Sequence, residues 1–190
     1  AYITAAASTI SILVSEGKYK RAEFLLNKAF GIAQQKQMNA VKLRSLYLQR
    51  GALYLSLKKY DLSLLDLQEA KRAYEQVNDN TLQYSSCLSA LSTLYLEQQE
   101  YALSRIYADE SLYVALLNST QDKPAGQVLV SMSNVAFLYQ NLGMYKKSND
   151  LFHQVIHHCT KYGLNDRSVS AANNIAIIET WKGNSEDALS

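Results

Sequence analysis

The apolar positions of this chain do not alternate with polar ones, so the pattern predicts almost no strand. They keep helical steps instead, arranged around a recurring tyrosine. Tyr19 follows "SEGK", Tyr60 follows "SLKK", Tyr101 follows "EQQE" and Tyr145 follows "NLGM". The steps are 41, 41 and 44 residues, and 40 more reach Ser185 after "KGN". Six residues before each tyrosine stands a large side chain: Leu13, Tyr54, Tyr95 and Tyr139. Three before that is a small one at Gly51, Ser92 and Ala136, with Ala176 in the last unit. Three after the tyrosine comes another small residue: Ala22, Ser63, Ser104, Ser148 and Ala188. Small residues let two helices approach closely, and rings fill the gap beside them. The pattern therefore predicts helix pairs at 2–16 with 18–34, 39–57 with 60–77, 80–98 with 101–118 and 124–142 with 145–162. A fifth pair is expected at 166–182 with a stub at 185–190.

The scarcity of breakers agrees. One proline, Pro124, and seven glycines occur in 190 residues, so long helices are the expected element. Units of about 41 residues in phase mark a solenoid of stacked pairs. Of the 14 tyrosines, eight fall on packing positions: Tyr19, Tyr47, Tyr54, Tyr60, Tyr95, Tyr101, Tyr139 and Tyr145. Most of the tyrosine content is thus expected in the core.

The segments "LYLQRGALYLSLKKYDLSLLDLQEA", "CLSALSTLYLEQQEYALSRIYADES" and "MSNVAFLYQNLGMYKKSNDLFHQV" resemble the tetratricopeptide repeat (TPR) family. "ISILVSEGKYKRAEFLLNKAF" and "NNIAIIETWKGNSEDAL" are weaker copies at either end. The usual unit of that family has 34 residues. Longer units of about 40–42 look like those of kinesin light chains, bacterial peptide-sensing regulators and Bacteroidetes-type sensor regulators. The resemblance implies an all-α fold, a right-handed α-α superhelix of about five helix-turn-helix repeats. These would lie at 2–36, 39–78, 80–120, 124–163 and 166–190, forming a single array. The last is truncated and would expose Ala188 and Leu189, so the chain is expected to be a piece of a longer protein. Glu179 replaces the aromatic expected in this unit.

Charge and composition narrow the function. Residues 1–79 carry 12 Lys/Arg and 7 Asp/Glu, and residues 80–190 carry 7 and 10, so a basic half precedes an acidic one. Their net +2 is too small, and the basic sites too scattered, to argue for direct nucleic-acid binding. These charges are expected on solvated turns and outer faces. The apolar runs are too short for membrane insertion of this segment. Nothing in the sequence separates a cytoplasmic from a periplasmic location. Cys87 and Cys159, 72 residues apart without a CxxC companion, read as buried single thiols. His153 and His157 share a helix face at metal-ligand spacing, but no acidic residue stands where a metalloprotease needs one, so no metal site is assigned. No phosphate loop, nucleophile elbow or paired carboxylate is present; no enzyme activity and no cofactor are expected.

In the resembled family, the first helix of each pair lines a concave groove. The positions opposite the core stripe are Thr4, Ala7, Ser8, Ser11 and Ser15 in the first unit, and Ser45, Leu48, Gln49, Ala52 and Ser56 in the second. The third offers Ser86, Ser89, Ala90, Thr93 and Glu97; the fourth Ser133, Asn134, Phe137, Gln140 and Asn141. The fifth offers Ser170, Asn173, Asn174, Ile177, Thr180 and Trp181. The set is nearly uncharged. Chaperone-docking relatives grip a terminal carboxylate with cations that are absent here. An Asn amide has two donors and an acceptor, enough to pair with both the N–H and C=O of an extended main chain. "SNVA" and "NNIA" resemble the Asn-bearing first helices of peptide-holding relatives. The expected binding residues are Ser89, Thr93, Asn134, Phe137, Asn141, Asn173, Asn174, Ile177 and Trp181. The expected partner is a protein or peptide segment, uncharged or apolar, together with other domains of the same polypeptide. The function implied is a peptide-binding scaffold. The alternative is the ligand-sensing input domain of a larger bacterial signalling or transcription-regulatory protein.

Overall fold

The structure is a computed structural model that describes residues 2–118, 126–163, 171–177 and 180. It is an all-α repeat superhelix. In chain order the helices are α1 (Tyr2–Ser15), α2 (Tyr19–Gln35), α3 (Ala40–Ser56), α4 (Tyr60–Glu75), α5 (Leu82–Glu97), α6 (Tyr101–Leu117), α7 (Gly126–Asn141) and α8 (Tyr145–Tyr162). Residues 171–177 are again helical. Each signature tyrosine is the first residue of a second helix. No described residue lies in a strand.

A three-residue turn closes every described pair, and its geometry repeats. The residue two before each tyrosine is left-handed: Gly17 and Gly143 at φ 70°, Lys58 at 56° and Gln99 at 62°. The next N–H then reaches back across the turn. Lys18 N donates to Leu13 O, Lys59 N to Tyr54 O, Glu100 N to Tyr95 O and Met144 N to Tyr139 O, each at 2.8 Å. This 6→1 bond satisfies a helix-end carbonyl that would otherwise lack a partner. The acceptor is in every case the large residue six positions before the tyrosine.

The small positions meet as their size suggests, and three of them also bond. Ser63 Oγ donates to Gly51 O at 2.8 Å, Ser104 Oγ to Ser92 O at 2.9 Å and Ser148 Oγ to Ala136 O at 2.8 Å. All three hydroxyls are buried, so the carbonyl twelve residues back gives each a partner that burial requires. Gly51 permits the closest approach. A Cβ there would lie 2.7 Å from Leu67 Cγ. Buried Ser85 and Ser111 bond within the third pair, and Ser111 Oγ lies 2.9 Å from Ser131 Oγ of α7, in the next pair.

Leucine, alanine and other apolar side chains fill four core clusters that follow one another along the array. The eight signature tyrosines are only half-buried. The two deeply buried tyrosines, Tyr74 and Tyr84, stand outside the signature and pack together with ring centroids 5.7 Å apart. Burial pushes both phenols above their ordinary value, and Tyr84 is pushed further by Glu110 and Glu75, whose carboxylates its hydroxyl contacts. Cys87 and Cys159 are buried free thiols, as expected, and burial raises Cys87 to about 12.

Two cations of the basic half are not simply solvated. Arg50 makes a bidentate pair with the nearly buried Asp66, both bonds 2.7 Å, while its guanidinium lies 4.1 Å from the Phe30 ring centroid. Arg44 pairs with Asp79 at 2.9 Å. The expectation of a solvated face fails here because α3 is covered on both sides by neighbouring helices, so a charge on its flank must find a partner.

Candidate functional site: the first-helix layer

The first helices form one layer. α1 touches α3, α3 touches α5, and α5 touches α7. Among the described residues, the backbones of consecutive second helices stay more than 8 Å apart. The array therefore curves with first helices inside and second helices splayed outside. Of the residues expected to bind, Ser89 and Thr93 stand on α5 and Asn134, Phe137 and Asn141 on α7, both first helices.

Along α1, α3 and α5 this face forms an open cavity of about 530 Å³. Thr4, Ala7, Ser8, Ser11, Ser45, Leu48, Gln49, Ala52, Ser86 and Ala90 line it, all from the expected groove set. Ile12, Leu82 and Gln83 complete the lining without having been expected. Gln83 stands three residues before Ser86 on the same helix face, which is the signal that would have found it. No lining residue is charged. Leu48 contributes from a buried position rather than as an exposed apolar spot.

A second, smaller cavity of about 190 Å³ lies further along the layer. Leu129, Val130, Ser133 and Asn134 of α7 line it together with Val155, Ala171 and Asn174. It brings Asn134 and Asn174 to one wall. Asn134 is half-buried, and its Nδ2 donates to Ser89 Oγ on α5. Ser89 is buried beneath this bond, and Thr93 Oγ1 donates 3.1 Å to the Ser89 carbonyl. The Ser89 hydroxyl therefore holds the amide, while Thr93 bonds only within its own helix. Asn134 keeps its second N–H and its carbonyl oxygen, one donor and one acceptor at the cavity edge.

The other expected residues are spread along the face. Phe137 and Ile177 are exposed apolar side chains at 43% and 42%, large for isolated surface positions. Asn141 is exposed, and its Nδ2 donates 2.8 Å to Phe137 O on its own helix. Asn173 is exposed and does not line the cavity. Trp181 lies outside the described residues, as do Ser170, Glu179, Ala188 and Leu189. Gln140 was expected in the groove but is buried at the pair interface, its Oε1 without a hydrogen-bond partner. Ala176, expected at a small packing position, is exposed, as is Ala172; Ala171 is buried and Ile175 packs against the core.

Outside the layer, His153 and His157 are exposed on the outward side of α8. Among the described residues, no group of three or more His, Cys, Asp or Glu side chains is placed to hold a metal ion. No described helix is long and apolar enough to cross a membrane.

At the level of sequence, no family profile and no curated protein matches this chain. Solved structures do. BtubC (BKLC) from P. vanneervenii superposes with a TM-score of 0.65 at 12% identity, covering 92% of this chain and 78% of that one. A putative kinesin light chain from Podosopora anserina, described by its nearly identical TPR-like repeats, gives 0.70 at 12%, covering 98% and 90%. A variant of the same protein gives 0.71 at 11%, covering 98% and 89%. Identities this low carry the fold and nothing finer. The chain has the fold of the TPR-like repeat proteins, a superhelix of stacked helix pairs.

Proposed function

We propose that the array is a non-catalytic protein-interaction scaffold whose inner layer holds an extended, uncharged or apolar peptide segment. The observation that carries this reading is the absence of any charged residue from the lining of the 530 Å³ cavity across three first helices. A groove of hydroxyls, amides and short apolar side chains offers main-chain hydrogen bonds without selecting a charge. Apolar anchors at Phe137 and Ile177 lie beside the amides of Asn134 and Asn174, where a partner's side chains would find preference.

The test uses peptides selected against the full chain from an unbiased displayed library. Their affinity should change less than about threefold between low and high salt, since few charges are screened. Asn134→Ala and Asn174→Ala should each weaken binding about fivefold or more, the worth of one lost hydrogen bond. Ser89→Ala should strengthen binding by releasing the Asn134 amide. Binding that collapses with salt and ignores all three substitutions would overturn the proposal.

A further inference from the structure

Successive junctions between pairs differ at three buried positions that the repeat register makes equivalent. One stands sixteen residues before a unit's opening tyrosine, one ten after it, and one fourteen before the opening residue of the next unit. Where the third pair meets the fourth, these are Ser85, Ser111 and Ser131. Ser85 Oγ donates 2.8 Å to Ser111 O, and Ser111 Oγ lies 2.9 Å from Ser131 Oγ, so this junction closes on its own hydrogen bonds. On its inner side the Asn134 amide donates to Ser89 Oγ. Where the fourth pair meets the helix at 171–177, the same positions are Leu129, Val155 and Ala171. All three are buried, and their side chains have nothing to hydrogen-bond with. Asn174 is the register equivalent of Asn134, and Ser133 that of Ser89, but the Ser133 hydroxyl donates 2.8 Å to Leu129 O on its own helix. The junction is open here, as the 190 Å³ cavity already described, with the three apolar residues and both amides in its lining. In the second unit the register position of Ala171 holds Leu46, which is fully buried. That place in the array therefore accommodates an isobutyl side chain.

We propose that this cavity is a specificity pocket that takes one branched aliphatic or phenyl side chain from the peptide segment held along the inner layer. The inference rests on the peptide-binding reading above and adds which residue the partner must carry and where it lands. Water over Leu129, Val155 and Ala171 finds no polar partner among those side chains, whereas an apolar cavity of about 150 Å³ takes up benzene. A pocket of 190 Å³ thus suits a side chain of that size. A charged or amide side chain is refused, because nothing in those three residues would pair with it. The spare donor and acceptor of Asn134 and the amide of Asn174 flank the inserted residue and pair with the main chain beside it. One repeat back, the serine-closed junction offers no second pocket of this kind, so the apolar requirement falls on a single residue of the partner.

The probe is N-acetyl-leucine methylamide, one aliphatic side chain between two main-chain amides, titrated into the full chain and followed by amide NMR shifts. It should shift resonances of α7 and 171–177 with a Kd of about 1–10 mM, the range for so small a ligand. N-acetyl-glycine methylamide should not. Ala171→Leu places in the cavity the side chain that Leu46 carries at the same register, and should weaken the leucine probe about tenfold or more. Ala171→Met is the second variant, since its flexible chain fills a space in which leucine would be strained. At least one of the two should match or exceed the wild-type thermal midpoint, because it fills a cavity. In peptides selected from the displayed library, truncating the anchor to Ala should cost about tenfold in wild type and less than about twofold in the filled variant. No shifts at about 10 mM, equal shifts from the leucine and glycine probes, or shifts undiminished in both variants overturn the proposal. So does a midpoint lowered in both. Peptides that depend on Asn134 and Asn174 but keep their affinity in both variants overturn the pocket and leave the groove standing. The probe needs no peptide, so a failure of the groove reading shows separately.

Discussion

Gly51→Ala and Gly31→Ala should move stability in opposite directions. Both glycines sit inside helices, where replacing Gly by Ala stabilises by up to about 1 kcal/mol through helix propensity alone. At Gly31 a Cβ meets nothing within 4 Å, so that gain stands. At Gly51 it would lie 2.7 Å from Leu67 Cγ, 2.8 Å from Cδ2 and 3.3 Å from the Leu67 backbone N. Carbon atoms rest at about 3.5–4.0 Å, so the overlap approaches about 1 Å. Leu67 is fully buried and has no space to withdraw into. The relief is to part α3 from α4, which stretches the 2.8 Å bond from Ser63 Oγ to Gly51 O. Overpacking costs about 1–3 kcal/mol and the weakened bond about 1 more, against the 1 gained. Gly51→Ala should therefore destabilise by about 1–3 kcal/mol, while Gly31→Ala stabilises by about 0.5–1. Urea unfolding followed by far-UV circular dichroism at constant m-value measures both. Leu67→Ala should cost less in the Gly51→Ala background than in wild type, a favourable coupling in the double-mutant cycle. A Gly51→Ala midpoint at or above wild type, or no coupling with Leu67, would refute the close-approach argument.

Lys58→Gly and Gln99→Gly should each stabilise. Both residues sit at left-handed φ, 56° and 62°, which costs a residue with a Cβ about 1–2 kcal/mol, and the greater freedom of glycine when unfolded returns about half of that. A thermal midpoint unchanged or lowered in either variant would count against the turn reading, and Gly17→Ala should show the opposite sign. Alkaline pH should destabilise the fold. The folded pKa values of Cys87, Tyr74 and Tyr84 are raised above their ordinary values of 9.0, 10.0 and 10.0. The folded state thus holds these protons more tightly than the unfolded state. Their contribution is complete below about pH 9 and is lost as pH climbs through the raised values, so urea midpoints should be level from pH 7 and fall above about 9.

The helix pairs were legible because their positions are set locally. The tyrosine that opens each second helix and the large residue six before it are joined by one three-residue turn, so their spacing survives every change of neighbour. The left-handed residue inside that turn was not legible in two units. Gly17 and Gly143 announce it, whereas Lys58 and Gln99 adopt the same geometry without the residue that favours it. Size at Ser63, Ser104 and Ser148 was readable, but their hydrogen bonds depend on how closely two axes approach. Burial depth was less legible still. Tyr74 and Tyr84 are buried by packing between pairs, and Gln140 by the flank of its own pair, neither of which a repeat signature encodes. The uncharged lining of the cavity on α1, α3 and α5 follows helix periodicity once the resemblance supplies the inner face. The Asn134–Ser89 bond was not, since the partners stand 45 residues apart on helices from different pairs.

That contrast between pairs and the spaces between them bears on how the scaffold would respond to a ligand. Within every described pair the turn has three residues, while four residues separate α2 from α3, six separate α4 from α5, and eight separate α6 from α7. The 44-residue step takes its extra length at this last junction. Pairs are thus the rigid units, and the junctions carry the variation in the array. Asn134 and Ser89 lie across the junction with the longest connection, joining the inner helices of the third and fourth pairs. A peptide that competes for the Asn134 amide therefore acts on a joint rather than on a pair. Its binding energy would reset the angle between two rigid blocks and leave the serine–carbonyl bonds inside each block intact. Hydrogen exchange should then change in α5 and α7 near the junction, beyond the protection the peptide gives by direct contact along α1, α3 and α5, and stay constant in the outer helix α2, because a solenoid passes strain only to its neighbours.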